Sequence, residues 1–379
     1  MTANPFLGVL LHSIGGLAAA SFYLPYKGVR RWSWESYWLV GGFFSWIIAP
    51  WVLALILVPD LMGVLRDMPG KSVMWTYLFG VMWGVGGLTF GLSMRYLGMS
   101  LGYAIALGMC AVFGTLVPPI YSGKIVVVVQ SLAGWVALLG IGVCVAGIAI
   151  SGMAGVAKER ELSEEQKKST IKEFDFVKGM LVAVFAGVMS ACMSFGFAAG
   201  EPIAGVAVKH GTADLWKNLP IWIVVLAGGF TTNFVWCVAL NIKNGSGADY
   251  VRSRAPVESD EAIAVGSSSE AATATLTYQA TQPVPLVLNY VLCAVAGTTW
   301  YFQFFFYGMG ATKLGEELKF VSWSLHMASI IIFSTLWGIS LREWRGVGPG
   351  TMRLVWGGIV VLVVSMLIIG VAASKAGLQ

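Results

Sequence analysis

The chain has 379 residues, of which 57% are hydrophobic and only 11% charged, with a formal net charge of +5 and a mean hydropathy of +0.76. A soluble domain carries about 25% charged residues, so a water-facing globular fold is excluded and a bilayer must supply most of the solvent. The basic residues sit in short connections between apolar runs instead of forming one patch, which excludes nucleic acid as a partner.

Ten runs are long enough to cross a bilayer: 6–26, 37–59, 72–93, 101–121, 131–152, 178–200, 219–241, 284–308, 319–340 and 352–373. The first places His12 on one helical face with Gly16, Ala19 and Tyr23. It ends in Lys27, Arg30 and Arg31, the basic flank of a retained span and not of a cleaved leader. Gly80, Gly84, Gly87 and Gly91 form a stripe in the third run with Trp83 beside it, a pattern that permits close helix approach or sliding. Residues 153–177 read as a solvated, partly helical cytoplasmic linker. The sixth run ends at Glu201, on the face of Ser190 and Ser194. The seventh pairs Asn233 with Trp236.

Residues 243–283 are rich in Gly, Ser, Ala, Thr and acids, a composition that cannot bury a core and reads as a disordered cytoplasmic insertion. The eighth run gathers Asn289, Trp300, Gln303 and Tyr307 on one face. An aromatic ring covers the apolar face of a sugar, and amides and phenols satisfy its hydroxyls. The same residues also serve as polar glue between helices. The ninth run sets Ser322, His326 and Ser329 on one face. Five cysteines lie far apart in apolar runs, without metal-ligand or disulfide spacing.

The linker divides the chain into five spans (1–152) and five spans (178–379). An odd number per half turns the halves upside down relative to each other, which predicts an all-α membrane fold built as a 5+5 inverted-topology repeat, the usual form of a secondary transporter. Connections after odd-numbered spans, counted with the basic residues at the edges of the adjoining runs, hold 16 Lys plus Arg, against 8 on the other side. The positive-inside rule then puts both termini outside the cell membrane.

No Asp, Glu, Lys or Arg lies deep within a run. The titratable candidates are His326, His12 and Glu201, and each has a plainer alternative. His326 reads either as a proton carrier or as a neutral histidine bonded between helices. His12 competes with an interfacial role, and Glu201 with a solvated helix end.

Several strings resemble a known family: SFYLPYKGVRRWSWESYWLVGGFFSWIIAPW (Ser21–Trp51), MRYLGMSLGYAIALGM (Met94–Met109), WYFQFFFYGMG (Trp300–Gly310), VSWSLHM (Val321–Met327) and LREW (Leu341–Trp344). They are similar to the bacterial L-rhamnose–proton symporters of the drug/metabolite transporter superfamily. The resemblance implies ten spans in a 5+5 repeat in the inner membrane, carrying L-rhamnose or a related 6-deoxyhexose inward with a proton and needing no other cofactor. The chain departs from the family around 243–283 and GEPIAG (Gly200–Gly205). Rival readings are an exporter on the same fold and a membrane-embedded transferase. The latter usually needs acidic residues holding a metal, and here only Glu316–Glu317 in a short loop make an acidic pair beside a span.

Overall fold

A computed structural model describes residues 4–97, 99–161, 176–256, 281–315 and 318–376. The ten expected spans are ten long helices. These are α1 (Pro5–Ser21, extended by the turn Tyr23–Tyr26), α2 (Trp34–Leu57), α3 (Gly70–Leu97), α4 (Met99–Tyr121), α5 (Leu132–Glu161), α6 (Phe176–Ala199), α7 (Leu219–Asn244), α8 (Leu286–Ala311), α9 (Ser322–Ser340) and α10 (Pro349–Ala376). Nine of them are long and apolar enough to cross a membrane. The remaining one, α8, has the length at 26 residues but carries Asn289, Thr298, Thr299 and Gln303, so it depends on its neighbours for cover.

Three shorter helices, Leu61–Asp67, Ile125–Gln130 and Glu201–Lys209, lie at the end of the bundle that also holds the first helical turn of α1. That end is called the N-terminal face below, and the opposite end the far face. Asp60 caps the first short helix, its Oδ1 accepting from Gly63 N at 3.0 Å.

The neighbour pattern has a two-fold form. α1 packs on α8 and α9, and α6 packs on α3 and α4. α2 packs on α8, as α7 does on α3; α4 meets α5, as α9 meets α10. Exchanging each helix for the one five places along carries each of these contacts into another of them. Close backbone approach makes these crossings. A Cβ on Gly80 would come within 2.0 Å of Val225 O, and one on Gly297 within 2.1 Å of Gly41 O.

The expected disordered insertion needs correcting at both ends. α7 runs on to Asn244, a 3-10 turn covers Ser246–Tyr250, and β1 (Arg254–Pro256) pairs antiparallel with β2 (Thr281–Pro283). Polar groups that composition marks as solvated are instead bonded to the start of α2. Asp249 accepts from Ser33 N at 2.8 Å and from Ser36 Oγ at 3.0 Å, and Glu35 accepts from Ser246 Oγ at 2.6 Å and Asn244 Nδ2 at 2.9 Å. Residues 257–280 lie outside the described residues. So does most of the expected linker, 162–175, although its first part continues α5: Glu161 accepts from Thr351 Oγ1 and Gly348 N, both at 2.6 Å.

Candidate functional site

Two groups of side chains meet inside the bundle, and α8 contributes to both. The first surrounds Tyr307. His12 on α1 lies edge-on to its ring at 5.2 Å between centroids, and His326 on α9 at 5.4 Å. Trp222 of α7, Phe197 of α6 and Trp323 of α9 pack around the same ring at 5.8, 5.2 and 5.9 Å. The fit depends on missing side chains: a Cβ on Gly310 would reach within 2.3 Å of His12 Nδ1, and one on Gly16 within 2.2 Å of Ser329 Cβ.

Hydrogen bonds fix which ring nitrogen carries the proton. His12 Nδ1 donates to Gly8 O at 2.7 Å, and His326 Nε2 donates to Gln303 Oε1 at 3.2 Å. In the neutral rings, His12 Nε2 and His326 Nδ1 then present bare lone pairs. Both atoms are buried and unpaired among the described residues, as are the donors Gln303 Nε2 and Trp222 Nε1. An unpaired buried polar atom costs about 1–3 kcal/mol. Together they offer lone pairs and donors that a proton or a polar solute can engage.

The second group is a closed circuit of contacts. Trp38 Nε1 donates to Asn233 Oδ1 at 2.8 Å. Trp38 meets Phe22 at 6.2 Å, Phe22 meets Trp300 at 4.3 Å, and Trp300 meets Phe304 at 6.2 Å. Phe304 meets Trp83 at 5.9 Å and Trp83 meets Trp46 at 5.8 Å. Gly42 closes the circuit, since a Cβ there would lie 3.1 Å from the Trp46 ring and 2.9 Å from Asn233 Nδ2. Trp300 Nε1, Trp46 Nε1 and Asn233 Nδ2 are buried and unpaired among the described residues. Phe304 also packs on Trp222 at 5.2 Å, which joins the two groups.

The structure thus brings together His12, His326, Gln303 and Tyr307, and separately Trp300, Trp83 and Asn233. It places four other expected residues elsewhere. Asn289 is fully engaged with Arg30, accepting from its N–H at 3.1 Å and donating to its O at 2.9 Å, and so pins the turn after α1. Tyr23 is exposed beside Phe22 and Tyr26. Glu201 sits at the N-terminal face, paired with Lys319 at 2.9 Å and Lys124 at 3.8 Å. Trp236 points outward, whereas its expected partner Asn233 is buried.

Residues that sequence alone does not single out are Trp46, Trp222, Phe197 and Trp323, which read as ordinary span aromatics, and His210. His210 follows the short helix Glu201–Lys209. Both of its ring nitrogens meet carboxylates, Nδ1 with Asp60 at 2.7 Å and Nε2 with Asp67 at 2.9 Å. Two ionised carboxylates offer only acceptors, so the ring holds a proton on each nitrogen. Asp60, then Asp67, holds the His210 pKa above its ordinary value, while His210, with the Gly63 N–H, holds the Asp60 carboxyl below its own.

A raised histidine pKa gives stability that is complete below the unfolded value of ~6.5 and lost as pH rises through the folded one. A lowered carboxyl pKa gives stability lost as pH falls from ~4 through its folded value. The clamp between the connection after α2 and that after α6 is therefore strongest at about pH 4 to 6.5. In detergent, His210→Gln should melt below the wild type at pH 6, with a gap that closes toward pH 9. A gap independent of pH would contradict the clamp.

Polar and titratable groups buried within membrane-spanning helices define a polytopic membrane protein that handles a polar solute or an ion. The match to known proteins is more specific. The family model for the L-rhamnose-proton symport protein matches residues 1–257 and 271–375, and the chain belongs to that family. It is 36% identical over 366 residues to an L-rhamnose-proton symporter of Cronobacter sakazakii, spanning 96% of each chain. To one from Klebsiella pneumoniae subsp. pneumoniae it is 35% identical over 372 residues, 97% of this chain and 98% of the relative. To one from Pectobacterium atrosepticum it is 36% identical over 370 residues, again 97% and 98%.

Proposed function

We propose that this protein carries L-rhamnose, or a closely related 6-deoxyhexose, into the cell across the inner membrane together with one or more protons. The sugar follows from the relatives' names. The observation that carries the mechanism is the double role of α8: Trp300 stands in the aromatic circuit, and Gln303, one turn on, accepts from His326. A sugar resting against Trp300 and a proton arriving at a histidine therefore act on one rigid element.

The steps follow from the site's chemistry. A proton from the outer solution binds at the free nitrogen of His326 or His12. The sugar's hydroxyls pair with donors that are otherwise unpaired, and the helices rearrange to open the other face. The ion pairs of Glu201 with Lys319 and Lys124, with the His210 clamp, close the N-terminal face. The bonds of Glu35 and Asp249 to the opposing segments close the far face. The exchangeable neighbour pattern of the two halves supports an inverted repeat, in which one half-turn operation converts one open state into the other. The basic-residue bias supports an N-terminal face directed outward.

Proteoliposomes holding the purified protein test this reading. An imposed acid-outside pH gradient should drive accumulation of labelled L-rhamnose above the external level, and a protonophore should abolish it. In intact cells, a cysteine placed at Ser122 should react with an impermeant maleimide. Uptake indifferent to the gradient would refute proton coupling, and an unreactive Ser122 position would reverse the orientation.

A further inference from the structure

α2 is not a regular helix. Pro50 has no N–H to bond the carbonyl four residues back, and the chain absorbs the defect as a π-turn over Phe44–Ile48, with Ala49 N bonding Phe44 O. π-turns are rare and occur often at functional sites. This one packs between α7, which carries Asn233, and α8, which carries Trp300.

Its two buried residues are Ser45 and Trp46. Ser45 is 1% exposed, yet its hydroxyl is unpaired among the described residues. Four other helical serines, Ser13, Ser21, Ser329 and Ser334, each donate to the carbonyl four residues back. For Ser45 that carbonyl belongs to Gly41, whose oxygen is pressed against Gly297 of α8. Trp46 is 7% exposed, and its N–H is unpaired too. The indoles of Trp38, Trp323 and Trp337 all find acceptors, respectively Asn233 Oδ1, Cys110 O and Ser21 Oγ. Asn233 Nδ2 flanks Gly42 together with the Trp46 ring, and it is also unpaired.

We propose that Ser45 and Trp46, presented by the π-turn, bind hydroxyl groups of the sugar on the wall opposite Trp300. Trp46 Nε1 and Asn233 Nδ2 donate to sugar oxygens, and the Ser45 hydroxyl both donates and accepts. The proposal rests on the transporter reading above and adds a binding wall to it. The rings of Trp46 and Trp83, 5.8 Å apart, supply an apolar surface for the sugar's C–H face.

Equilibrium binding of L-rhamnose to the purified protein tests it. Trp46→Phe keeps the ring and removes only the N–H, and Ser45→Ala removes only the hydroxyl. Each should weaken binding ~3- to 10-fold, the scale of one neutral hydrogen bond. Pro50→Ala permits a regular helix and should lose more than either. If it fails to fold, the two conservative variants still decide. Wild-type affinity in both Trp46→Phe and Ser45→Ala, alongside weakened binding in Trp300→Ala, overturns the second wall and leaves the transport site standing. Wild-type affinity in all three overturns the site itself.

Discussion

His326→Gln should still exchange L-rhamnose down its gradient but no longer accumulate it. Glutamine preserves a donor toward Gln303 and comparable bulk, so the packing against Tyr307 and Trp323 survives. What it lacks is a nitrogen that takes up a proton. A membrane potential of 100 mV is worth about 2.3 kcal/mol per charge and one pH unit about 1.4 kcal/mol, so one coupled proton supports roughly 500-fold accumulation. Without coupling, the ratio should fall to about 1, and sugar addition should no longer alkalinise an unbuffered medium. Counterflow of labelled against unlabelled L-rhamnose is the control for folding. Normal accumulation between pH 6 and 8 would make His326 structural. His12 would be next to test, because its Nε2 is the other bare nitrogen beside Tyr307.

Trp300→Ala and Gln303→Ala should both weaken sugar binding, with different signatures. The Trp300 ring stacks on Phe22 and abuts Phe304, and its loss removes an aromatic surface together with an N–H. The expected loss of ~1–3 kcal/mol corresponds to roughly a 5- to 150-fold weaker affinity. The pH dependence of uptake should be unchanged, since among the described residues Trp300 touches neither histidine directly. Gln303→Ala removes the acceptor of the His326 N–H as well as an unpaired amide donor. It should lower affinity on the same scale and also displace the pH profile of uptake. Apparent affinity as measured by competition, compared across pH 5.5 to 8, separates the two. Unchanged affinity in both variants would move the sugar to the surface around Asn233 and Trp83.

The ten spans were legible because lipid demands unbroken apolar length, a strong one-dimensional signal. His326, Gln303 and Tyr307 were legible because a polar or titratable group inside such a run needs a reason to be there. Asn289 obeys the same rule for another reason: it pins Arg30, and sequence contains no sign of a partner 259 residues away. Trp46 and Trp222 were not legible, because this chain has sixteen tryptophans and a span tryptophan reads as an ordinary membrane aromatic; only their buried, unpaired N–H groups set them apart. One signal for Trp46 was present, Pro50 four residues on, which disturbs the carbonyl of Trp46 itself. The ends of the 243–283 segment misled for the opposite reason. Their composition is that of a solvated chain, but Ser246 and Asp249 meet complementary groups at the start of α2, and partners across space override composition.

The crossings at Gly80 with Val225 and at Gly297 with Gly41 bring backbone against backbone. Surfaces of that kind have no interlocking teeth: there are no knobs to lift out of holes when one helix turns on another. A machine with smooth bearings at its waist resists motion chiefly at its rims. Here one rim is held by ion pairs that dissolved salt screens. The other is held mainly by hydroxyl and amide groups on buried carboxylates, which salt hardly reaches. The two ends of the transport cycle are thus unequally exposed to the ionic composition of the water that bathes them.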